Sequence, residues 1–207
     1  RAKQRGEEPS LALSLAYGLA DRLVFSKIRA LFGGRIRACV SGGAPLAKEI
    51  AEFMHAAGIL ILEGYGLTET CPALTINTST AFRFGTVGRP IPGVEIKIGE
   101  DGEILARGPN IAMGYYKRPE ETSASFFEGG WFATGDIGEF DEDGFLRITD
   151  RKKDLIVTSG GKNVAPQPIE NLLKLSPYIA NAVVIGDRRR FISALIVPQF
   201  EKLEAYA

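Results

Sequence analysis

The chain holds one histidine and two cysteines, so little in it can bind a soft metal ion. Cys39 and Cys71 lack the short spacing of a zinc or iron–sulfur ligand pair, and they read as the reduced thiols of a cytoplasmic protein. Long apolar runs are missing as well. None reaches the ~20 residues that a membrane-spanning helix needs, and no signal peptide is visible. The expectation is a soluble cytoplasmic protein, with room only for peripheral membrane contact. An excess of either charge is also absent. Twenty-five basic side chains against twenty-five acidic ones give no global field for nucleic acid, and Arg188-Arg189-Arg190 reads as a solvated turn. Specificity must therefore come from sites.

What is present is ordinary globular composition, 45% hydrophobic and 24% charged over 207 residues, enough for one large core or two small ones. The first residue is Arg1 and not Met, and the end, Glu201-Lys202-Leu203, reads as a helix just starting. Both suggest a piece of a longer protein.

One stretch concentrates the polar chemistry. The strand-like run Leu60-Ile61-Leu62 leads through Glu63 into Gly64-Tyr65-Gly66-Leu67-Thr68-Glu69-Thr70-Cys71. Glycines at 64 and 66 suit close approach to a flat ligand, and Tyr65 offers a ring for stacking. Thr68 can bond a phosphoryl oxygen, and Glu69 can hold a hard cation.

Around it the chain reads as alternating elements. Residues 1–9 are charged and loose. Ser10 can cap a long helix bearing Leu11, Leu15, Leu19, Leu23 and Ile28, broken near Gly18, packed into the core and ended by Gly33-Gly34. A strand over 36–40, the loop Ser41-Gly42-Gly43-Ala44-Pro45, a helix with Pro45 in its first turn and Gly58 at its end, and a strand over 59–62 make a parallel unit. Ligands of such sheets bind at the carboxyl ends of the strands. His55, on that helix, reads as structural. Past residue 85, Asp101-Gly102 and Asp143-Gly144 mark two hairpins. Asp141-Glu142-Asp143-Gly144 is a turn and not a calcium loop, because the other ligand positions are missing. Asp136, after an aromatic run, can cap a turn or accept two adjacent hydroxyls such as a ribose diol. Beyond the charged link Asp150–Asp154, a strand, a glycine loop, a helix from about 167 to 175 and two strands open a small α+β domain. Gly161-Lys162 lacks the glycine and hydroxyl of a phosphate-binding P-loop.

Four motifs in order, Ser41-Gly42-Gly43-Ala44-Pro45-Leu46, Gly64–Thr70, Trp131–Asp136 and Asp150-Arg151-Lys152-Lys153-Asp154, resemble those of the adenylate-forming superfamily. The linking phrases Gly85-Thr86-Val87-Gly88-Arg89-Pro90 and Gly114-Tyr115-Tyr116 agree, and residues 148–154 and 161–166 resemble the bacterial long-chain fatty acyl-CoA synthetases. The implied fold is α/β: part of a large N-terminal domain over 1–84, a β-rich, distorted-barrel subdomain over 85–150, and a hinge with an incomplete α+β C-terminal domain over 151–207.

The resemblance also implies chemistry. A fatty carboxylate attacks the α-phosphorus of ATP, giving acyl-adenylate and pyrophosphate, and the thiol of coenzyme A then displaces AMP. By the same resemblance Gly43, Ala44, Pro45, Gly64 and Tyr65 form the adenine slot, and Glu63 and Gly66 also bind the nucleotide. Thr68 bonds the α-phosphate, Glu69 holds Mg2+, and Asp136 and Arg151 hold the ribose. Lys153 is the hinge, and Gly160 and Gly161 line the passage of the coenzyme A arm. The family's phosphate loop and its acylation lysine are not among these 207 residues, so the piece alone is expected to be inactive. Two other readings stay open: an aryl-CoA ligase or peptide-synthetase adenylation unit, and a non-catalytic nucleotide-binding module. The partners implied are small molecules (ATP, fatty acid, coenzyme A), with oligomeric state unassigned.

Overall fold

The computed structural model describes residues 10–206; the charged opening lies outside the described residues. Helix α1 (Leu11–Ala20) begins at Ser10, whose hydroxyl accepts the Leu13 amide. It is not broken at Gly18. A π-helical turn, Asp21–Phe25, carries it into α2 (Ser26–Leu31). The expectation that its leucine stripe packs into the core fails. Leu11, Leu15, Leu19 and Leu23 are 54 to 85% exposed. The helix docks by another set of side chains. The Tyr17 hydroxyl donates to the Ala56 carbonyl at 3.0 Å, Phe25 meets Phe53 edge-on, and Arg29 bridges Asp21 and the Ala57 carbonyl.

Strand β1 (Ala38–Ser41) pairs in parallel with β2 (Leu60–Tyr65), joined by α3 (Lys48–Ala56). Pro45 is not in the first turn of α3, which begins after Ala47, so residues 43–46 stay a loop. The other end follows expectation. Gly58, at φ +87°, donates to His55, and Ile59 donates to Met54, a Schellman closure that aims the chain into β2. His55 packs against Phe82 and Phe84, as a structural residue does. Strands β3 (Thr75–Ile76) and β4 (Arg89–Pro90) extend the sheet in the order β1-β2-β3-β4.

The second sheet is antiparallel. Strands β5 (Glu95–Ile98) and β6 (Glu103–Arg107) form the first hairpin, and β8 (Trp131–Phe140) and β9 (Leu146–Arg151) the second. Helix α4 (Pro119–Ser125) and β7 (Phe126–Phe127) lie between them along the chain. At the second turn Asp141 accepts the amides of Asp143 and Phe145, and Arg83 pairs with both Asp141 and Asp143, which leaves a hairpin and no cation loop. The core joins the two sheets: Tyr65 of β2 and Leu74 just before β3 pack with Val94, just before β5, and with Ile104, Ala106 and Leu146 of the second sheet. The α/β class is as the sequence implied. Last come the hairpin β10 (Ile156–Val157) and β11 (Asn163–Val164), α5 (Pro166–Leu173), the pair β12 (Ile179–Ile185) and β13 (Ser193–Pro198), and α6 (Phe200–Glu204). Among the described residues no helix is long and apolar enough to cross a membrane.

Candidate functional site

A cleft of about 270 Å³ opens where the carboxyl end of β2 meets the β8–β9 hairpin. One side is the loop from Gly43 to Leu46, and the floor runs from Glu63 to Leu67. Asp136, with Ile148 to Arg151, closes the far side.

At its center three side chains meet: Tyr65 and Asp136, both buried, and Arg151, whose side chain is exposed. Strand β8 alternates, so Phe132, Thr134 and Asp136 share the inward face, and Asp136 lies mid-strand where the turn-cap reading does not hold. The pairing of β8 with β9 sets Arg151 directly opposite, and its Nε donates to Asp136 Oδ1 at 3.2 Å. The Tyr65 hydroxyl donates to Asp136 Oδ2 at 2.7 Å, and the Asp136 amide donates to Thr134 Oγ1. Asp136 is 6% exposed and Tyr65 8%. Burial, and then the negative charge of Asp136, push the Tyr65 phenol above its ordinary range, so it stays a donor. Each carboxylate oxygen can accept a further hydrogen bond, so Asp136 can still take a pair of hydroxyls from the cleft.

Glu63 also lines the cleft, nearly buried. Burial raises its carboxyl above the usual range, and the amides of Gly85 and Leu46 partly oppose that. Gly66 lines it too, but its glycine serves the chain itself. A Cβ there would stand 1.6 Å from the Pro72 carbonyl oxygen, so position 66 is glycine to let the loop close, whatever binds beside it. Gly64 is less constrained: an added Cβ would stand 3.2 Å from the Thr75 carbonyl oxygen, tight but not a clash.

Thr68 and Glu69 sit one turn further on, in a short 3-10 segment (Thr68–Thr70) at the rim and outside the lining. Thr70 Oγ1 accepts the Leu67 amide at 2.8 Å and fixes that turn. Thr68 is exposed and Glu69 half-buried. The Glu69 carboxylate accepts from the Tyr115 hydroxyl at 2.8 Å, and its carbonyl accepts from the Ala112 amide. Among the described residues no group of three or more metal-ligating side chains exists. One half-buried carboxylate with an oxygen to spare still suits Mg2+, which takes one or two carboxylates and completes its shell with phosphate and water.

The structure thus brings together Gly43, Ala44, Pro45, Glu63, Gly64, Tyr65, Gly66, Asp136 and Arg151, with Thr68 and Glu69 beside them. Lys153, Gly160 and Gly161 lie outside the cleft lining. Lys153 is exposed in the turn after β9, and the two glycines occupy the open β10–β11 turn, where nothing lies within 4 Å of an added Cβ. Lining residues that the sequence did not single out are Gly85, Thr86 and Val87, and Gln167, Pro168 and Asn171 at the start of α5. The phrase 85–90 marked the first group without a role; nothing local to 167–171 points to a cleft.

Residues 9–116 match the model of the AMP-binding enzymes, and residues 153–206 match that of the AMP-binding enzyme C-terminal domain. The chain is 48% identical, over 198 residues, to the long-chain-fatty-acid–CoA ligase FadD15 of Mycobacterium bovis, matching 96% of its own length and 33% of the relative's. With the long-chain-fatty-acid–CoA ligase ACSBG2 of Xenopus laevis the figures are 40% over 201 residues, 94% and 27%. The chain therefore spans about a third of the length of the curated relatives it matches. Among solved structures, O-succinylbenzoate coenzyme A synthetase from Bacillus subtilis in complex with AMP superimposes with a TM-score of 0.71 at 34% identity, over 79% of this chain and 36% of that one. The same enzyme with ATP and magnesium ion gives 0.70 at 35%, over 79% and 37%.

Proposed function

Because the chain belongs to the AMP-binding enzyme family, we propose that its cleft is the nucleoside pocket of an ATP-dependent long-chain fatty acid:CoA ligase. The observation that carries this reading is the buried Tyr65–Asp136 pair, with the exposed Arg151 bonded to it, at the mouth of a parallel strand, which offers a fixed carboxylate to a diol and a cation beside it. The identity to long-chain-fatty-acid–CoA ligases supports the choice of acid.

In this reading Asp136 accepts the two ribose hydroxyls and Arg151 donates to the same sugar. The base lies between the 43–46 loop and the 64–66 backbone. Tyr65 acts through its hydroxyl on Asp136, because its ring is committed to the core. Thr68, exposed at the rim, donates to the α-phosphate. Glu69, oriented by Tyr115, holds Mg2+, which when bound offsets phosphate charge. These residues position groups and stabilise charge on oxygen, which is how such sites lower barriers. The fatty carboxylate oxygen bonds to the α-phosphorus as pyrophosphate leaves. In the second half-reaction the thiol sulfur bonds to the acyl carbon and AMP departs. Lys153, exposed just past β9, serves as the pivot between the two, and Gly160 and Gly161 border the coenzyme A arm after rotation. The protein acts in the cytoplasm on small molecules.

Calorimetric titration of the chain with AMP tests the pocket: binding that Asp136→Asn weakens about tenfold or more is expected from losing a charged acceptor. For the acid, thioester formation by the protein together with its natural flanking sequence is measured with palmitate and with aromatic acids. Turnover of an aromatic acid alone would overturn the fatty-acid assignment.

A further inference from the structure

Three consecutive residues, the last two of β9 and the one after it, are tied to the larger part of the molecule, Asp150 by its strand pairing with Ile137, and the side chain of the next makes no such tie. The Asp150 carboxylate is buried beneath the strand and accepts the Arg151 amide at 2.7 Å. Arg151 reaches Asp136. Lys152 makes the densest attachment. Its Nζ lies 2.7 Å from Asp101 Oδ2 in the β5–β6 turn and 2.7 Å from Glu103 Oε2, while its amide donates to the Gly135 carbonyl at 2.8 Å. Glu103 is 8% exposed, and its other oxygen accepts the Gly135 amide at 2.8 Å. Gly135, the residue before Asp136, is thus held by both its N–H and its C=O, and Lys152 takes part in both attachments. Lys153 makes no side-chain hydrogen bond or ion pair among the described residues.

We propose that Lys152 is a positioning residue: it anchors the fixed side of the hinge and, through Glu103 and Gly135, holds Asp136 and Arg151 in register with each other. It touches no substrate. Its work is to stop the bending of the linker one residue short of the nucleotide contacts, so that the first freely turning position is Lys153. Without the ammonium group, Glu103 becomes a buried carboxylate with no counter-charge. Bending of the linker then spreads back toward Arg151. The anchor stands on geometry alone; its effect on nucleotide rests on the reading of the cleft given above.

The test uses the chain with Lys152→Met and Lys152→Arg, read by residue-resolved amide hydrogen exchange and by AMP titration. In Lys152→Met, exchange at Gly135, Asp136 and Lys152 is expected to quicken by about tenfold through local opening, and Lys152→Arg restores it. AMP binding is expected to weaken about three- to tenfold in Lys152→Met, but no further when Arg151→Met is already present, since the effect acts through that contact. A general structural role would give additive losses. Unchanged exchange, or a full further loss beside Arg151→Met, would overturn the proposal. Should Lys152→Met fail to fold, Glu103→Gln must quicken the same amides, because it keeps an acceptor for Gly135 and removes the charge that Lys152 meets. If the unaltered chain binds no AMP, the nucleotide reading fails, and the exchange rates alone decide the anchor.

Discussion

The Tyr65 hydroxyl donates to Asp136 Oδ2 at 2.7 Å across a buried gap, joining the first sheet to the second. Tyr65→Phe leaves that oxygen without its donor where water scarcely reaches, at a cost of about 1 to 3 kcal/mol. Urea denaturation of the two proteins is expected to show that loss with an unchanged slope. AMP titration should show weaker binding of the nucleotide as well, because a carboxylate released on one side no longer holds its orientation.

The same phenol gives a signed pH dependence. Its folded pKa is raised above the ordinary value of 10.0. Below pH 10 both states keep the proton and the full stability is present. Above it the unfolded chain releases the proton while the folded one retains it, so stability falls as pH rises toward the folded value. Melting curves from pH 9 upward should show this decline in the parent chain, and a shallower one in Tyr65→Phe.

Glu63 titrates at the other end of the scale. Its carboxyl is also raised in the fold, from 4.5, chiefly by burial. Below 4.5 both states are protonated and the contribution is complete. It is lost as pH rises from 4.5 through the folded value, because the unfolded state ionises first. Glu63→Gln should remove that component, so the stability difference between variant and parent grows in favour of the variant across this window and then levels off.

Gly66 is expected to accept no side chain. A Cβ would stand 1.6 Å from the Pro72 carbonyl oxygen and 2.6 Å from its carbon, both backbone atoms that cannot swing aside. Gly66→Ala should therefore destabilise by about 3 kcal/mol or more, at the high end for single substitutions. Gly160→Ala, with open space around it, is the control and should melt within a degree or two of the parent.

Much of this was readable in the chain beforehand, for identifiable reasons. The two Asp-Gly turns fix the hairpins because left-handed positions fall to glycine there, and once the second hairpin is in register, Asp136 faces inward with Phe132 and Thr134. The closure at Gly58 was legible for the same reason. The leucine stripe of α1 was not. Helical spacing reports an apolar face and is silent about what covers it, and here the docking is done by Tyr17, Phe25 and Arg29. Pro45 suits a helix start, but α3 begins only after Ala47, a delay that no local pattern marks. The sequence offered the Tyr65 ring for stacking but held no sign of its hydroxyl's bond to Asp136, which joins residues far apart in the chain. The attachments of Lys152 join residues far apart in sequence, so the dense charge of 150–154 read only as a linker.

The core has a consequence for how this segment can be divided. Tyr65 in the first sheet and Leu74 just before β3 pack against Val94, just before β5, and Ile104, Ala106 and Leu146 of the second sheet. A cut near residue 84, where the strand pattern changes, would strip each half of its main apolar neighbours and leave two pieces prone to aggregate. Deletion, grafting or exchange between relatives can succeed only if both sheets travel as one block.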